Sequence, residues 1–292
     1  SYKGTWSHHP LLLTCATTQE VIAVRNRPGN VVSAHGAAEL LRQHLPRVTA
    51  GLGRPLVRMD AGFETAAVRA ACVESGAYFV QSAAGRRERH QLLEKVSQEA
   101  WTPWRPPQER QRDGRAVSGG GRTRKKGQNW RRETMLRRFK DDKSKGQRWL
   151  AEVECHPSQG EEPCRLIIIR EELLLQWSRR QPPLFQHFGY RFVLTNLPPE
   201  YKPSDIVDLS YDRCSQEKTI CQLGDDIPMW RMPVREFDGN EASLEIARLA
   251  WNIGKWLGLL VLPLESIRWE WKRFRAAFIV VAAEVIHRGR QV

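Results

Sequence analysis

Asp60 closes the short apolar run Leu56-Val57-Arg58-Met59. In an α/β sheet the carboxyl end of a strand is where ligands are placed, so a carboxylate there is positioned for chemistry. The same Asp has a structural use, as the N-cap of a helix starting near Thr65. Further along, Tyr211, Arg213 and Glu217 are spaced to project from one side of a helix, with four residues separating Arg213 from Glu217. Taken alone, an Arg and a Glu at that spacing are a surface ion pair.

Other reactive side chains offer less. Cys155-His156 followed by Cys164 lacks a fourth ligand at zinc-finger spacing, and no His completes a site with Cys214 and Cys221. Cys15 and Cys72 fall in apolar runs and read as small core residues. His8-His9 has no partner that would orient it for proton transfer. The chain contains no Gly-Lys-Ser/Thr phosphate loop, which argues against a nucleotide-driven enzyme.

A basic block is the most biased part of the chain. Between Arg105 and Arg148 sixteen Lys or Arg face five acids, which accounts for +11 of the total net charge of +13. The block holds Pro106-Pro107, Gly119-Gly120-Gly121 and Trp130, too little apolar periodicity and too much like charge to collapse by itself. It reads either as a solvated linker or as an arm that neutralises phosphates and releases counterions. Arg122, Arg124, Lys125, Lys126, Arg131 and Arg132 are its densest cations, with Trp130 among them; Trp101, Trp104 and Trp149 lie close by. An aromatic among cations suits stacking on an unpaired base, and each of these Trp residues is equally suited to the core of a neighbouring strand.

The elements that position these residues follow from periodicity. Leu11 to Ala16 and Val21 to Arg25 read as strands joined by a hairpin turn, and Asn26-Arg27-Pro28-Gly29-Asn30 as a turn. Ala37, Leu40, Leu41 and Leu45 recur at helical spacing. A strand at Leu56 to Met59, a helix with Val68, Ala71 and Cys72 on one face, and a strand at Ala77 to Gln81 complete an α/β pattern whose sheet combines hairpin and crossover connections. After the basic block, Trp149 to Val153, Leu166 to Arg170 and Tyr190 to Leu194 form a β-rich segment. From Asp205 the chain turns helical, with Ile246, Ala250, Ile253 and Leu257 as an apolar stripe beside Trp251 and Trp256. There are three parts: 1–90, an α/β portion; 91–203, the arm and the β-rich insertion; and 204–292, a helical portion.

Composition sets outer bounds. With 292 residues, 41% hydrophobic and six Cys, the chain is neither a disordered polyelectrolyte nor a disulfide scaffold. No apolar run reaches the roughly 18 residues of a membrane span, and the polar opening from Ser1 gives no signal peptide. A soluble, intracellular protein is expected.

In order and spacing, these pieces resemble the DDE transposases of bacterial insertion sequences, in particular the branch whose third acid lies in a Tyr-Arg-Glu-Lys signature on a helix. The resemblance is carried by Ser1-Tyr2-Lys3-Gly4-Thr5-Trp6, His9-Pro10-Leu11, Asn26 to Asn30, Asp60 with Gly62-Phe63, Thr195-Asn196, Asp212-Arg213-Cys214 with Gln216-Glu217, and Leu249-Ala250-Trp251-Asn252. It implies an RNase H-like mixed sheet with flanking helices, interrupted by the β-rich insertion. It makes Asp60 the second acid and Glu217 the third, both ligands in a two-Mg²⁺ site, with Tyr211 and Arg213 close to the DNA backbone. The implied substrate is double-stranded DNA, both transposon ends and target, and the implied setting is the bacterial cytoplasm at the nucleoid. Bringing two ends together points to a homodimer.

Two departures qualify this. The family's first Asp belongs on a leading strand ahead of the segment corresponding to Ser1; no Asp precedes Asp60, and the earlier acids are Glu20, in a hairpin turn, and Glu39, on a helix. The chain is therefore expected to be truncated at its N-terminus and inactive alone. The signature's Lys would fall at Gly224, seven residues after Glu217. A non-catalytic DNA-binding remnant, or an inhibitor of an intact transposase, is the alternative, and a metal-dependent nuclease on the same fold is third.

Overall fold

A computed structural model of the chain describes residues 7–107, 146–158, 160–173, 187–212 and 214–280. They fall into two compact units, one made of Ser1–His44 and Arg213–Val292 and the other of Leu45–Asp212.

In the first unit, β1 (Leu11–Thr14) and β2 (Val21–Arg25) form an antiparallel hairpin that is a sheet of its own. Gln19 takes a left-handed backbone (φ 62°) in the turn. That conformation costs an L-residue about 1–2 kcal/mol, and Gln19 is held there by two side chains of a later helix. Its carbonyl accepts from Trp251 Nε1 at 2.7 Å and its Oε1 from Lys255 Nζ at 3.0 Å. The turn at 26–30 is closed by Gly29, where a Cβ would lie 2.4 Å from the Ser7 carbonyl oxygen. Helix α1 (Ala37–Leu52) starts in this unit and continues past the division.

The second unit holds a six-stranded mixed sheet in the order β3-β4-β8-β7-β6-β5. Strand β3 is Leu56–Met59, β4 Tyr78–Ala83, β5 Thr102–Pro103, β6 Arg148–Cys155, β7 Cys164–Leu173 and β8 His187–Thr195. Strands β3 and β4 run parallel, joined through helix α2 (Ala66–Glu74), and the remaining pairs are antiparallel. Leu166 to Ile169 of β7 are buried in succession, as expected for a strand covered on both faces. The β-rich segment continues the sheet of the α/β portion, because β8 pairs along β4 from Val80↔Thr195 to Ala83↔Phe192. Thr195 and Asn196 strengthen the junction: Thr195 Oγ1 donates to the Phe79 carbonyl at 2.6 Å, and Asn196 Oδ1 accepts from Phe79 N–H at 2.7 Å. Two further helices complete the unit, the short α3 (Arg87–Leu92) and α4 (Pro203–Tyr211), whose Ile206 and Val207 pack on Val80, Ile167, Ile169 and Val193.

The first unit resumes with α5 (Cys214–Asp225), α6 (Phe237–Leu260) and α7 (Trp271–Phe278). Its core joins Val21, Val24, Leu223, Met229, Leu244, Trp251, Trp271 and Phe274. The expected stripe lies on α6, but it is not the buried face of that helix. The stripe Ile246, Ala250, Ile253 faces outward, Ile246 at 70% and Ile253 at 54% exposure, with Leu257 half-buried. The buried face is Leu244, Trp251, Asn252, Gly254, Lys255 and Gly258. Hydropathy ranks Asn and Lys as surface residues, yet Asn252 clamps both the N–H and the carbonyl of Val21 at 2.9 Å. Satisfied polar groups and close-packing glycines outweigh the branched aliphatics. The single sheet expected to contain the hairpin is likewise two sheets.

Candidate active site

Asp60 leaves β3 with extended backbone (φ −88°, ψ 177°) and caps a one-turn 3₁₀ helix at Ala61–Phe63, its Oδ1 accepting from Gly62 N–H at 2.8 Å. The capping of α2 falls instead to Thr65, whose hydroxyl accepts from Val68 N–H at 3.3 Å. Asp60 is therefore half-buried at the end of a strand with one carboxylate oxygen fixed by its own turn.

The turn is anchored at Glu64, four residues on, whose side chain is almost wholly buried. Its carboxylate accepts from Ala84 N–H at 2.7 Å and from both terminal nitrogens of Arg89, and Arg86 approaches to 3.3 Å. Burial alone would raise the Glu64 pKa, but the hydrogen bonds from Arg89 and Ala84 and the nearby Arg charges hold it below its ordinary value.

The end of α4 comes to the same strand. Arg58, two residues before Asp60, donates to the Leu209 carbonyl at 3.3 Å and lies 4.0 Å from an Asp212 carboxylate oxygen. Tyr211 is half-buried against Trp104, ring centroids 5.4 Å apart, with the Arg191 guanidinium 5.5 Å from its ring. Burial pushes its phenol pKa up. Trp104 is buried, donates toward Asp208 at 3.3 Å and belongs to the core. Trp101 and Trp149 flank Arg170, at 4.2 and 4.7 Å.

The segment that the resemblance assigns to the signature is divided between two helices. Tyr211 ends α4 and Glu217 stands exposed in the first turn of α5, where the helix dipole favours an acid. Tyr211 and Glu217 therefore do not share the side of one helix. Asp60 belongs to the second unit and Glu217 to the first. Gly224, where the resemblance puts the signature's Lys, has its space filled: a Cβ there would lie 2.4 Å from Trp230 Cδ1. Arg213 and the arm residues Arg122, Arg124, Lys125, Lys126, Trp130, Arg131 and Arg132 lie outside the described residues.

Sequence reasoning did not find Arg58, Glu64, Arg69, Gln81 and Arg89, which surround the Asp60 turn. Their one signal is a charged or amide residue on an otherwise apolar face, as with Arg69 beside Val68, Ala71 and Cys72. Asp60 brings one carboxylate to this turn, a ligand type that suits a hard divalent cation. No group of three or more potential ligands occurs among the described residues. Nor is any helix among them long and apolar enough to cross a membrane.

The family model "Transposase DDE domain group 1" matches residues 1–292. No curated protein matches the chain.

Proposed function

The chain belongs to the DDE transposase family, and from that premise we propose that it binds the double-stranded DNA of bacterial insertion-sequence ends and carries two acids, Asp60 and Glu217, of a Mg²⁺-dependent strand-cleavage and strand-transfer site. Transposition on a DNA substrate and the use of divalent metal ions are properties of the family. The observation that carries the assignment of Asp60 is its place at the carboxyl end of β3, beside the parallel strand β4, on a turn whose next anchor is a buried Glu64 clasp. Asp60 and Glu217 would hold the metal, which when bound would supply charge stabilisation to the attacking and leaving oxygens.

The chain's own residues supply the rest. Gly62 N–H fixes one oxygen of Asp60, so the carboxylate is oriented before substrate arrives. Arg213 offers a bidentate donor to phosphate, and Tyr211 contacts the DNA backbone. The arm with Arg122, Arg124, Lys125, Lys126, Arg131 and Arg132 neutralises backbone phosphates, and Trp130 stacks on an unpaired base. In this reading 1–90 and 204–292 carry the acids of the catalytic core, and 91–203 adds the DNA-contacting arm and strands β5 to β8 of the same sheet as β3 and β4. Two chains pair two ends, and the protein works in the cytoplasm at the nucleoid.

One observation favours a non-catalytic reading of this polypeptide by itself. Glu20, an acid ahead of Asp60, accepts hydrogen bonds from Thr18 and Trp256 and so is engaged within its own unit. The 292-residue chain then binds DNA, or associates with an intact transposase, without cutting. The decisive assay is incubation with Mg²⁺ or Mn²⁺ and end-labelled DNA carrying the terminal repeats that flank its reading frame. Retarded mobility without nicking is expected. Specific nicking lost in Asp60→Asn would establish a complete site, and absence of any DNA binding would refute the reading.

A further inference from the structure

We propose that the loop between β6 and β7 positions the Asp60 turn through a buried Arg69, so that Arg69 and Glu161 are positioning residues for the acid. This rests on the reading of Asp60 as a metal-binding carboxylate.

Arg69 lies on the buried face of α2 with 3% of its surface exposed. A guanidinium placed there is stable only if its donors are met and its charge balanced. Glu161, in the β6–β7 loop, supplies both: one carboxylate oxygen lies 2.7 Å from Nε and the other 2.7 Å from Nη2, in a fork-to-fork pair. Ser158 of the same loop accepts from Nη2 at 3.3 Å. Burial would lower the Arg69 pKa, but the Glu161 hydrogen bonds and charge outweigh it and raise it; the same hydrogen bonds lower that of Glu161.

The remaining donor points toward the site. Nη1 reaches the Oε1 of Gln81, fully buried on β4, at 3.1 Å, and Gln81 Nε2 donates to the Phe63 carbonyl at 3.0 Å. The polarity of this relay is dictated by chemistry. Arg69 can only donate and the Phe63 carbonyl can only accept, so the amide is held with oxygen toward Arg69 and nitrogen toward Phe63. Phe63 ends the 3₁₀ turn that Asp60 caps, and its N–H donates to the Asp60 carbonyl at 3.2 Å. The path from Glu161 to Asp60 thus runs Glu161, Arg69, Gln81, Phe63. Together with the Glu64 clasp, it fixes the turn at two successive residues.

The test uses hydrogen exchange on the full chain. Arg69 is deep enough that Arg69→Ala could unfold the sheet, and Glu161→Ala would strand its charge, so Glu161→Gln, which keeps one acceptor for the guanidinium and removes the charge and the second bond, carries the experiment. The expected result is exchange at least about tenfold faster in peptides covering 60–65, with peptides from α4 and β7–β8 unchanged. Glu161→Asp, which keeps the carboxylate, should restore most of the protection. Unchanged exchange at 60–65, or a uniform rise across the unit, overturns the proposal. Mn²⁺ binding, read from the electron-spin signal of the free ion, tests the underlying reading separately. Equal Mn²⁺ affinity in wild type and Asp60→Asn removes Asp60 as a metal ligand and leaves the exchange result for the turn standing.

Discussion

Lys255 shows how a single buried cation couples the first unit to pH. Its Nζ donates to the Gln19 side chain at 3.0 Å and to the Ile267 carbonyl at 2.7 Å, and stands 4.4 Å from the Trp251 ring. Burial nevertheless lowers its pKa from 10.5 to about 8. Between these values the unfolded chain binds a proton that the folded chain releases, so folding stability rises with pH across that window; below about pH 8 the burial penalty is present in full. Denaturant midpoints measured from pH 7.5 to 10.5 should therefore increase in wild type relative to Lys255→Met. Parallel pH profiles for the two proteins would refute this.

Helix α6 is organised by its small residues. At Gly254 a Cβ would lie 2.2 Å from Trp271 Cζ3, so the indole packs directly on the helix backbone. Ala in place of Gly gains about 1 kcal/mol in helix propensity, while overpacking a filled core costs about 1–3 kcal/mol. The clash is with a rigid buried ring, so the second effect wins and Gly254→Ala should lower the melting temperature. Trp251→Ala should do so more severely, by about 3–5 kcal/mol, since Trp251 is fully buried and also holds the hairpin through Gln19. Thermal unfolding of the two variants orders these effects, and a Gly254→Ala protein as stable as wild type would show that Trp271 can move aside.

For the whole molecule, charge is concentrated in one segment. Sixteen cations against five acids lie between Arg105 and Arg148, and a net charge of only +2 remains elsewhere. Under the proposed function, replacing 108–145 by a short Gly-Ser linker should weaken DNA binding and flatten the dependence of log K on log salt, since each phosphate left unneutralised reduces the steepness of that slope by about 0.9. Titrations at several salt concentrations measure it. An unchanged slope would mean that the arm does not touch DNA.

Local pattern determined a good deal by itself. Strands β2 and β3 fall on the residues their apolar runs predict, and Val68, Ala71 and Cys72 are buried on α2 as their spacing requires. The ordered motifs from Asn26 to Asn252 were sufficient for the family, because their residue types and order can be read before their partners are known. The surroundings of Asp60 were not legible, because Glu161, Arg69 and Gln81 are far apart in sequence and meet only when β4, α2 and the β6–β7 loop are assembled. The outward stripe of α6 runs against its hydropathy for a related reason: hydropathy records transfer from water, whereas burial of Asn252 and Lys255 depends on partners supplied by the hairpin. The sequence determined which elements form and which family they belong to, since propensity and motif are local. Only the tertiary structure decided which polar residues are buried and what holds the acid in place, because a buried charge or amide is stable only opposite a partner that folding brings to it.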